Sequence, residues 1–361
     1  MINEIKKKFD LRLFLPALFL TIAGLVSIYS SSIVRHDFSN FKKQLVWLAL
    51  SLVIFFLVSL LDLRFLKTNS RLIFFTYLGS LFSLIGLLIF APVVRGIRGW
   101  YQVGPFAFDP EGIVAIVLII VLAKYFSRKH EELSLFRTII FSGIYALLPI
   151  LLVFLQPDLG SALTLVAIWF GALIFSGIKV KHFLILCLLF AVLFAFSWFF
   201  VLKDYQQQRI LSFINPRIDT QGISWSVNQS KIAIGAGGLL GKGFGKGSQT
   251  QYGFLSEPKT DFIFSAIAEE FGFAGVVVLI GFLFWLLFEI MQVAFFAGSN
   301  FLRLFSSGFG FLILSQSFIN TGMCLGLFPV VGIPLPFVSY GGSHLLAFYL
   351  GLGVLMSIRR T

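Results

Sequence analysis

Apolar residues in this chain fall into long uninterrupted runs, not into the alternation of a half-buried strand or the one-sided stripe of a surface helix. Ten runs stand out, at residues 12–32, 44–61, 72–92, 111–126, 137–155, 159–177, 182–202, 262–290, 302–326 and 337–357. Most approach the roughly 20 residues that an α-helix needs to cross a hydrocarbon core. The fourth is short and the eighth is long. The pattern predicts an all-α, polytopic integral membrane protein with about ten transmembrane helices. One membrane domain covers 1–361, with a large outer loop at 203–260 between helices 7 and 8. That loop contains Trp225, Tyr252 and Phe254 and is predicted to be partly ordered. A second polar interruption, 93–110, is rich in Gly, Pro, Arg and aromatics.

Composition sharpens this picture. The 361 residues are 58% hydrophobic and 12% charged, against roughly 45–50% and about 25% in soluble domains. Lys and Arg number 28 against 16 Asp and Glu, a net charge of +12. In a membrane protein this excess points to headgroups and topology, not to nucleic acid. With the N-terminus inside, sixteen Lys and Arg fall on inside segments and five on short outside ones. The positive-inside rule thus predicts both termini in the cytoplasm and the two polar interruptions on the outer face. The first run follows Lys6-Lys7-Lys8 without a small-residue cleavage site, so it reads as a span and not a signal peptide. Two cysteines inside apolar runs and four scattered histidines give no disulfide framework and no metal-ligand spacing.

Five constellations carry candidate chemistry. In Glu257-Pro258-Lys259-Thr260-Asp261-Phe262, Asp261 stands at the outer mouth of the eighth span. A carboxylate there serves as a helix cap, a general base, or both. Glu269 and Glu270 lie two turns deeper, where charge is costly and therefore functional or paired. A continuous helix would put Glu269 about 80° and Glu270 about 180° from Asp261, so Glu269 is expected on the cavity side. The glycine run 235–249, with Lys242, Lys246 and Gln249, looks like a phosphate cradle but lacks the Walker spacing. Asp158, in Gln156-Pro157-Asp158-Leu159-Gly160, caps the sixth span or faces the outer cavity. Arg98 and Trp100, in Arg95-Gly96-Ile97-Arg98-Gly99-Trp100, suit an interface belt or a lipid diphosphate with its sugar. Pro329, Pro334 and Pro336 break the helix before Ser339-Tyr340-Gly341-Gly342-Ser343. Such non-helical backbone is tolerated only beside protein or a cavity, so this segment is expected to wall a site.

Together these stretches resemble the SEDS family (shape, elongation, division and sporulation), which includes RodA, FtsW and SpoVE. The resemblance rests on Gln156–Gly160, Arg209 to Pro216, Gln229-Ser230, the glycine run into Gln249, Glu257-x-x-Thr260-Asp261-Phe262, Glu269-Glu270-x-Gly272, Asn320 and Pro329 to Ser343. It covers essentially the whole chain, and Gln229 to Gly235 is more like the RodA branch than FtsW. The chain departs from the family pattern at Gly99, at Asp109-Pro110-Glu111-Gly112, where a Glu–Lys pair is usual, at Ser256 and at Val331.

The resemblance implies a peptidoglycan glycosyltransferase that polymerises lipid II at the outer face of the bacterial cytoplasmic membrane. It implies a class B penicillin-binding protein as partner, packed near the eighth and ninth spans. The family's catalytic aspartate matches Asp261. An α-linked donor and a β-1,4 product require one inverting displacement, with a base for the acceptor hydroxyl and positive charge for the leaving diphosphate. Arg98, Arg209, Lys231, Lys242 and Lys246 are the candidate cations. Trp100, Asp158, Gln249, Glu257, Ser339 and Ser343 are further substrate-site candidates. Glu269, Glu270, Asn320, Pro329 and Pro336 are expected to support the site. No cofactor is required; a divalent cation, Mg or Mn, is compatible with the chemistry. Two other readings stay open. A flippase would line a transmembrane path with Asp158, Glu269 and Glu270, and a non-catalytic scaffold for a transpeptidase would tolerate loss of Asp261.

Overall fold

Long apolar helices dominate the computed structural model, which describes residues 10–34, 36–94, 96–104, 106–128, 136–200, 202, 204–215 and 222–360. Within these the elements are α1 (Leu11–Ser30), α2 (Ser39–Leu60), α3 (Phe65–Thr68), α4 (Ser70–Phe90), β1 (Tyr101–Val103), β2 (Phe106–Phe108), α5 (Glu111–Arg128), α6 (Phe136–Leu155), α7 (Leu159–Ser176) and α8 (Val180–Phe200). They continue with α9 (Asp204–Ile214), α10 (Ile223–Gly237), α11 (Ser248–Gln251), α12 (Ile263–Phe295), α13 (Asn300–Leu325) and α14 (Gly342–Arg360). Nine of the described helices are long and apolar enough to cross a membrane. The tenth expected span, α5, carries Glu111, Lys124 and Arg128 within 18 residues and is mostly buried. The chain is an all-α polytopic membrane protein.

Local signals set the helix ends. Asn69 accepts from the backbone N–H of Arg71 and Leu72, Asp158 from Ser161 and Ser299 from Leu302, each satisfying donors that a first turn leaves free. Gly177 and Gly326 close α7 and α13 in the left-handed conformation. α13 and α14 are deeply buried. α14 packs along α2, while α13 packs against α12, α7 and α5. α8 is the opposite case: only Leu186 on it is buried, so its apolar surface faces outward over nearly its whole length.

Two elements differ from the sequence expectation. Segment 93–110 contains a short antiparallel hairpin in an otherwise helical fold, with Tyr101 opposite Phe108 and Gly104 at positive φ. Its signal is legible afterwards: Tyr101 and Val103 before Gly104-Pro105, and Phe106 and Phe108 after it, alternate with Gln102 and Ala107. The eighth span is not one continuous helix. α12 breaks at Gly272, whose φ of 65° and ψ of −164° are non-helical. The stretch after the break is 23 residues and about 35 Å long, enough by itself to cross a bilayer core. Ile263 to Phe271 is a separate short helix above it.

The glycine run explains how the break is tolerated. Lys242 and Gly243 donate their backbone N–H to the carbonyls of Glu269 and Glu270, at 3.0 and 2.9 Å. Phe273 and Ala274 donate to the carbonyls of Gly238 and Leu239, at 2.8 and 3.0 Å. The helix ladder interrupted at Gly272 is thus completed by a neighbouring backbone, as buried peptide groups require. The approach is so close that a Cβ on Gly237 would strike the Ala268 carbonyl, and one on Gly241 the Glu270 carbonyl.

Candidate active site

One cavity, about 360 Å³ in volume, opens at the end of the bundle that carries segment 203–260. Its walls come from stretches far apart in sequence: Lys43 and Trp47 of α2, the hairpin segment, the start of α5, the α6–α7 turn, α9, the turn before α12, and the α13–α14 connection.

Asp261 lines this cavity from the turn Glu257–Phe262, one residue before the N-cap Phe262. The turn is closed by the Thr260 and Phe262 N–H groups donating to the Glu257 carbonyl. Neighbouring elements then fix it. Asn320 Nδ2 donates to the Asp261 carbonyl at 3.0 Å and to Ile333 at 2.8 Å. Ser339 Oγ donates to the Thr260 carbonyl at 2.7 Å and accepts from Leu335 N–H at 2.9 Å. Tyr340 N–H donates to the Lys259 carbonyl at 2.8 Å. Position 332 is glycine at positive φ, 3.9 Å from Asp261 Oδ2 measured from where a Cβ would stand. The backbone on either side of Asp261 is therefore held by α13 and by the segment after Pro329, and Asp261 lines the cavity.

The same cavity is lined by Arg209 and Lys43, and by Trp100, Glu257 and Ser343. Asp158 lines it and caps α7 at once, accepting from Ser161 N–H at 3.1 Å and Ser161 Oγ at 2.8 Å. Burial raises the Asp158 carboxyl above its ordinary value, against the lowering pull of the Ser161 hydrogen bonds and the Arg209 charge. Asp109, also buried, is pushed up to about 7 by loss of solvent, with Asp158 adding to the rise and the Glu111 N–H opposing it. His344 Nε2 lies 3.7 Å from Asp109 Oδ2 and 3.9 Å from Glu111 Oε2. Glu111 Oε1 is buried with no hydrogen-bond partner among the described residues. Lys43 and His344 are cavity residues that sequence reasoning did not nominate, and Asp109 and Glu111 entered it only as a departure from the family pattern. The signal for His344 was its place directly after Ser343.

Other nominated residues lie elsewhere. Arg98 does not line the cavity; its Nη1 donates to the Leu88 carbonyl at 2.6 Å, neutralising the C-terminus of α4. Lys231 lines a smaller neighbouring cavity with Pro329, and Arg209 stands in the wall of both. Lys242 is paired with Glu269 at 3.1 Å, and Lys246 is exposed beyond the cavity. Gln249 enters through its backbone, donating to Glu269 at 2.9 Å. Pro336 opens the turn Pro336–Val338. Arg95 and Pro216, within motifs named above, fall outside the described residues.

The expected placement of Glu269 on the cavity side is corrected. Its Oε1 accepts from Lys242 Nζ, Ser248 Oγ and Gln249 N–H, and its Oε2 from Thr250 N–H and Oγ1 at 3.0 and 2.9 Å. Glu270 accepts from Ser30 Oγ at 2.5 Å and Gln251 Nε2 at 3.2 Å. Both acids bind α11 and the glycine segment to α12 and α1. The helical-wheel expectation failed because Asp261 precedes the helix. Among the described residues no three His, Cys, Asp or Glu side chains form a ready metal site.

Comparison with known proteins agrees with this architecture. The "Cell cycle protein" family model, FtsW/RodA/SpoVE, matches residues 11–361. The peptidoglycan glycosyltransferase MrdB of Escherichia coli K12 is 32% identical over 360 residues, covering 99% of this chain and 96% of that one. The stage V sporulation protein E of Bacillus subtilis 168 is 33% identical over 368 residues, covering 97% of each. Among solved structures, one described as structural coordination of polymerization and crosslinking by a peptidoglycan synthase complex superposes with a TM-score of 0.83 at 30% identity, covering 98% of both chains. The rod shape determining protein RodA of Thermus thermophilus superposes at 0.72 and 29% identity, over 98% of this chain and 97% of that one. The chain belongs to the FtsW/RodA/SpoVE family.

Proposed function

We propose that this protein is a peptidoglycan glycosyltransferase that joins lipid II units into β-1,4 glycan strands, in cell elongation or division, and releases undecaprenyl diphosphate. The observation that carries the reading is the placement of Asp261: a residue on a turn held by neighbouring elements, lining one cavity together with Arg209 and Lys43. The acceptor hydroxyl oxygen attacks the donor anomeric carbon, and its proton passes to Asp261. The bond from that carbon to the diphosphate breaks, and the departing negative charge is met by Arg209 and Lys43. A divalent cation would enter with the substrate diphosphate, and titrating Mg²⁺ and Mn²⁺ into the assay measures its contribution.

In this reading the cavity faces outward across the bacterial cytoplasmic membrane, with both termini in the cytoplasm. The distribution of Lys and Arg supports that orientation. A class B penicillin-binding protein is the proposed partner, seated along α12 and α13, where Phe284, Phe288 and Phe295 are exposed. The ties of Glu269 and Glu270 to α11, α1 and the glycine segment weigh against the flippase reading, which needs those acids on a path.

The test is lipid II polymerisation by the purified protein, alone and with its partner, with an inhibitor of the classical polymerases present. Glycan chains from the wild type, absent from Asp261→Ala and Asp261→Asn with folding intact, establish the enzyme and its base. Chains that survive both substitutions refute the role of Asp261. No chains even with the partner present move the assignment to transport or scaffolding.

A further inference from the structure

α5 runs about 27 Å from Glu111 at the cavity to Arg128 at the opposite end of the bundle. At that end a second pocket of about 280 Å³ opens between α4, α5 and α6. Its walls are apolar and aromatic: Ile73, Phe74, Tyr77, Val121, Tyr125 and Tyr145. They form a set structure. Tyr77 Oη donates to the Tyr145 carbonyl at 2.7 Å, and the Tyr145 ring lies 5.9 Å from those of both Tyr77 and Tyr125. Phe74 is 51% exposed, so the slot opens sideways, where the bilayer lies.

The mouth of the slot is cationic. Lys124, although only 7% exposed, donates to the Lys67 carbonyl and lines the pocket with Arg128. Ser70 Oγ is buried there with no hydrogen-bond partner among the described residues. Among the described residues no Asp or Glu lines the pocket. Topology alone asks only for positive charge on this end of the protein. It does not ask for two cations and an unsatisfied hydroxyl at the mouth of an aromatic slot open to lipid. Basic pockets between membrane helices at the headgroup level suit anionic lipid. Lys124 and Arg128 attract a headgroup with net negative charge and repel the choline or ethanolamine of a zwitterionic lipid.

We infer that this pocket binds one anionic glycerophospholipid, its phosphate held by Lys124, Arg128 and the Ser70 hydroxyl and one acyl chain lying in the Tyr77–Tyr125–Tyr145 slot. In the orientation proposed above, the lipid belongs to the cytoplasmic leaflet. The site is separate from the catalytic cavity and stands or falls independently of the glycosyl-transfer reading.

The test uses the full chain in non-ionic detergent with an equimolar mixture of dioleoylphosphatidylglycerol and dioleoylphosphatidylcholine, bound lipid being counted by native mass spectrometry. One phosphatidylglycerol is expected to be retained in preference to phosphatidylcholine. Arg128→Gln, at an exposed position, is expected to weaken that preference about fivefold. Arg64→Gln removes a cation on a neighbouring stretch outside the pocket and is expected to leave it unchanged. Ser70→Ala, which removes only the orphan hydroxyl, is expected to act in the same direction as Arg128→Gln and guards against misfolding of that variant. Equal retention of the two lipids overturns the inference. So does a preference that survives both pocket substitutions, or one that falls equally in Arg64→Gln.

Discussion

Two groups of acidic side chains, one of which includes Asp261 about two turns from the other, differ in what surrounds them. Glu269 and Glu270 are tied to neighbouring elements: Lys242, Ser248, Gln249 and Thr250 donate to the first, Ser30 and Gln251 to the second. The cavity group, Asp109, Glu111, Asp158 and Asp261, borders open space, and one oxygen of Glu111 is buried without a partner among the described residues. A buried carboxylate that ties elements together holds structure; one in the wall of a cavity is within reach of a substrate. Depth in the membrane does not separate these roles, but a place in the cavity wall does.

The comparison is sharpened most by Asp261→Asn. It is expected to lower lipid II polymerisation by at least about 100-fold, the smaller end of what a general base contributes, without changing the melting temperature. Glu269→Ala is expected to do the reverse. It strands Lys242 and the Gln249 and Thr250 N–H groups, costing about 3 kcal/mol of stability, seen as a large drop in melting temperature. If that variant melted normally but lost activity, the distinction between the two groups would collapse. Gly237→Ala pushes a methyl into the Ala268 carbonyl and is expected to cost about 1–3 kcal/mol in the same melting assay.

The smallest effect is pH dependence. Asp109 titrates at about 7 in the folded protein and near 3.8 when unfolded, so folding takes up a proton between those values. Its stabilising contribution is complete below about pH 4 and is lost as pH rises through 7. Glu111, Asp158 and His344 face the same group. Asp109→Asn is expected to flatten the slope of melting temperature against pH between about 4 and 7. A slope unchanged in that variant would assign the dependence to its neighbours.

Hydropathy is a local property, which is why the spans and the polar segment 203–260 are legible in the sequence. Asp261 was legible because a carboxylate beside a long apolar run is conspicuous. The glycine run was not, since its role depends on a helix break about thirty residues downstream that closes only in three dimensions. The contact that Arg98 makes was not legible for a similar reason: its partner, the Leu88 carbonyl, is a backbone group that no side-chain pattern marks. Lys43 and His344 come to one cavity from opposite ends of the chain, a pairing that no periodicity records.

The backbone splice at Gly272 also has a consequence for the order of synthesis. Residues 238–243 leave the ribosome before residues 269–274, so the donors and acceptors that complete the broken ladder already exist when the break emerges. A break delivered to the membrane without them would leave peptide groups unsatisfied, at several kcal/mol each in hydrocarbon. Circular permutation that moved the glycine segment behind α14 would reverse that order while leaving every contact of the finished fold available. Its yield of inserted protein would therefore report on biogenesis alone.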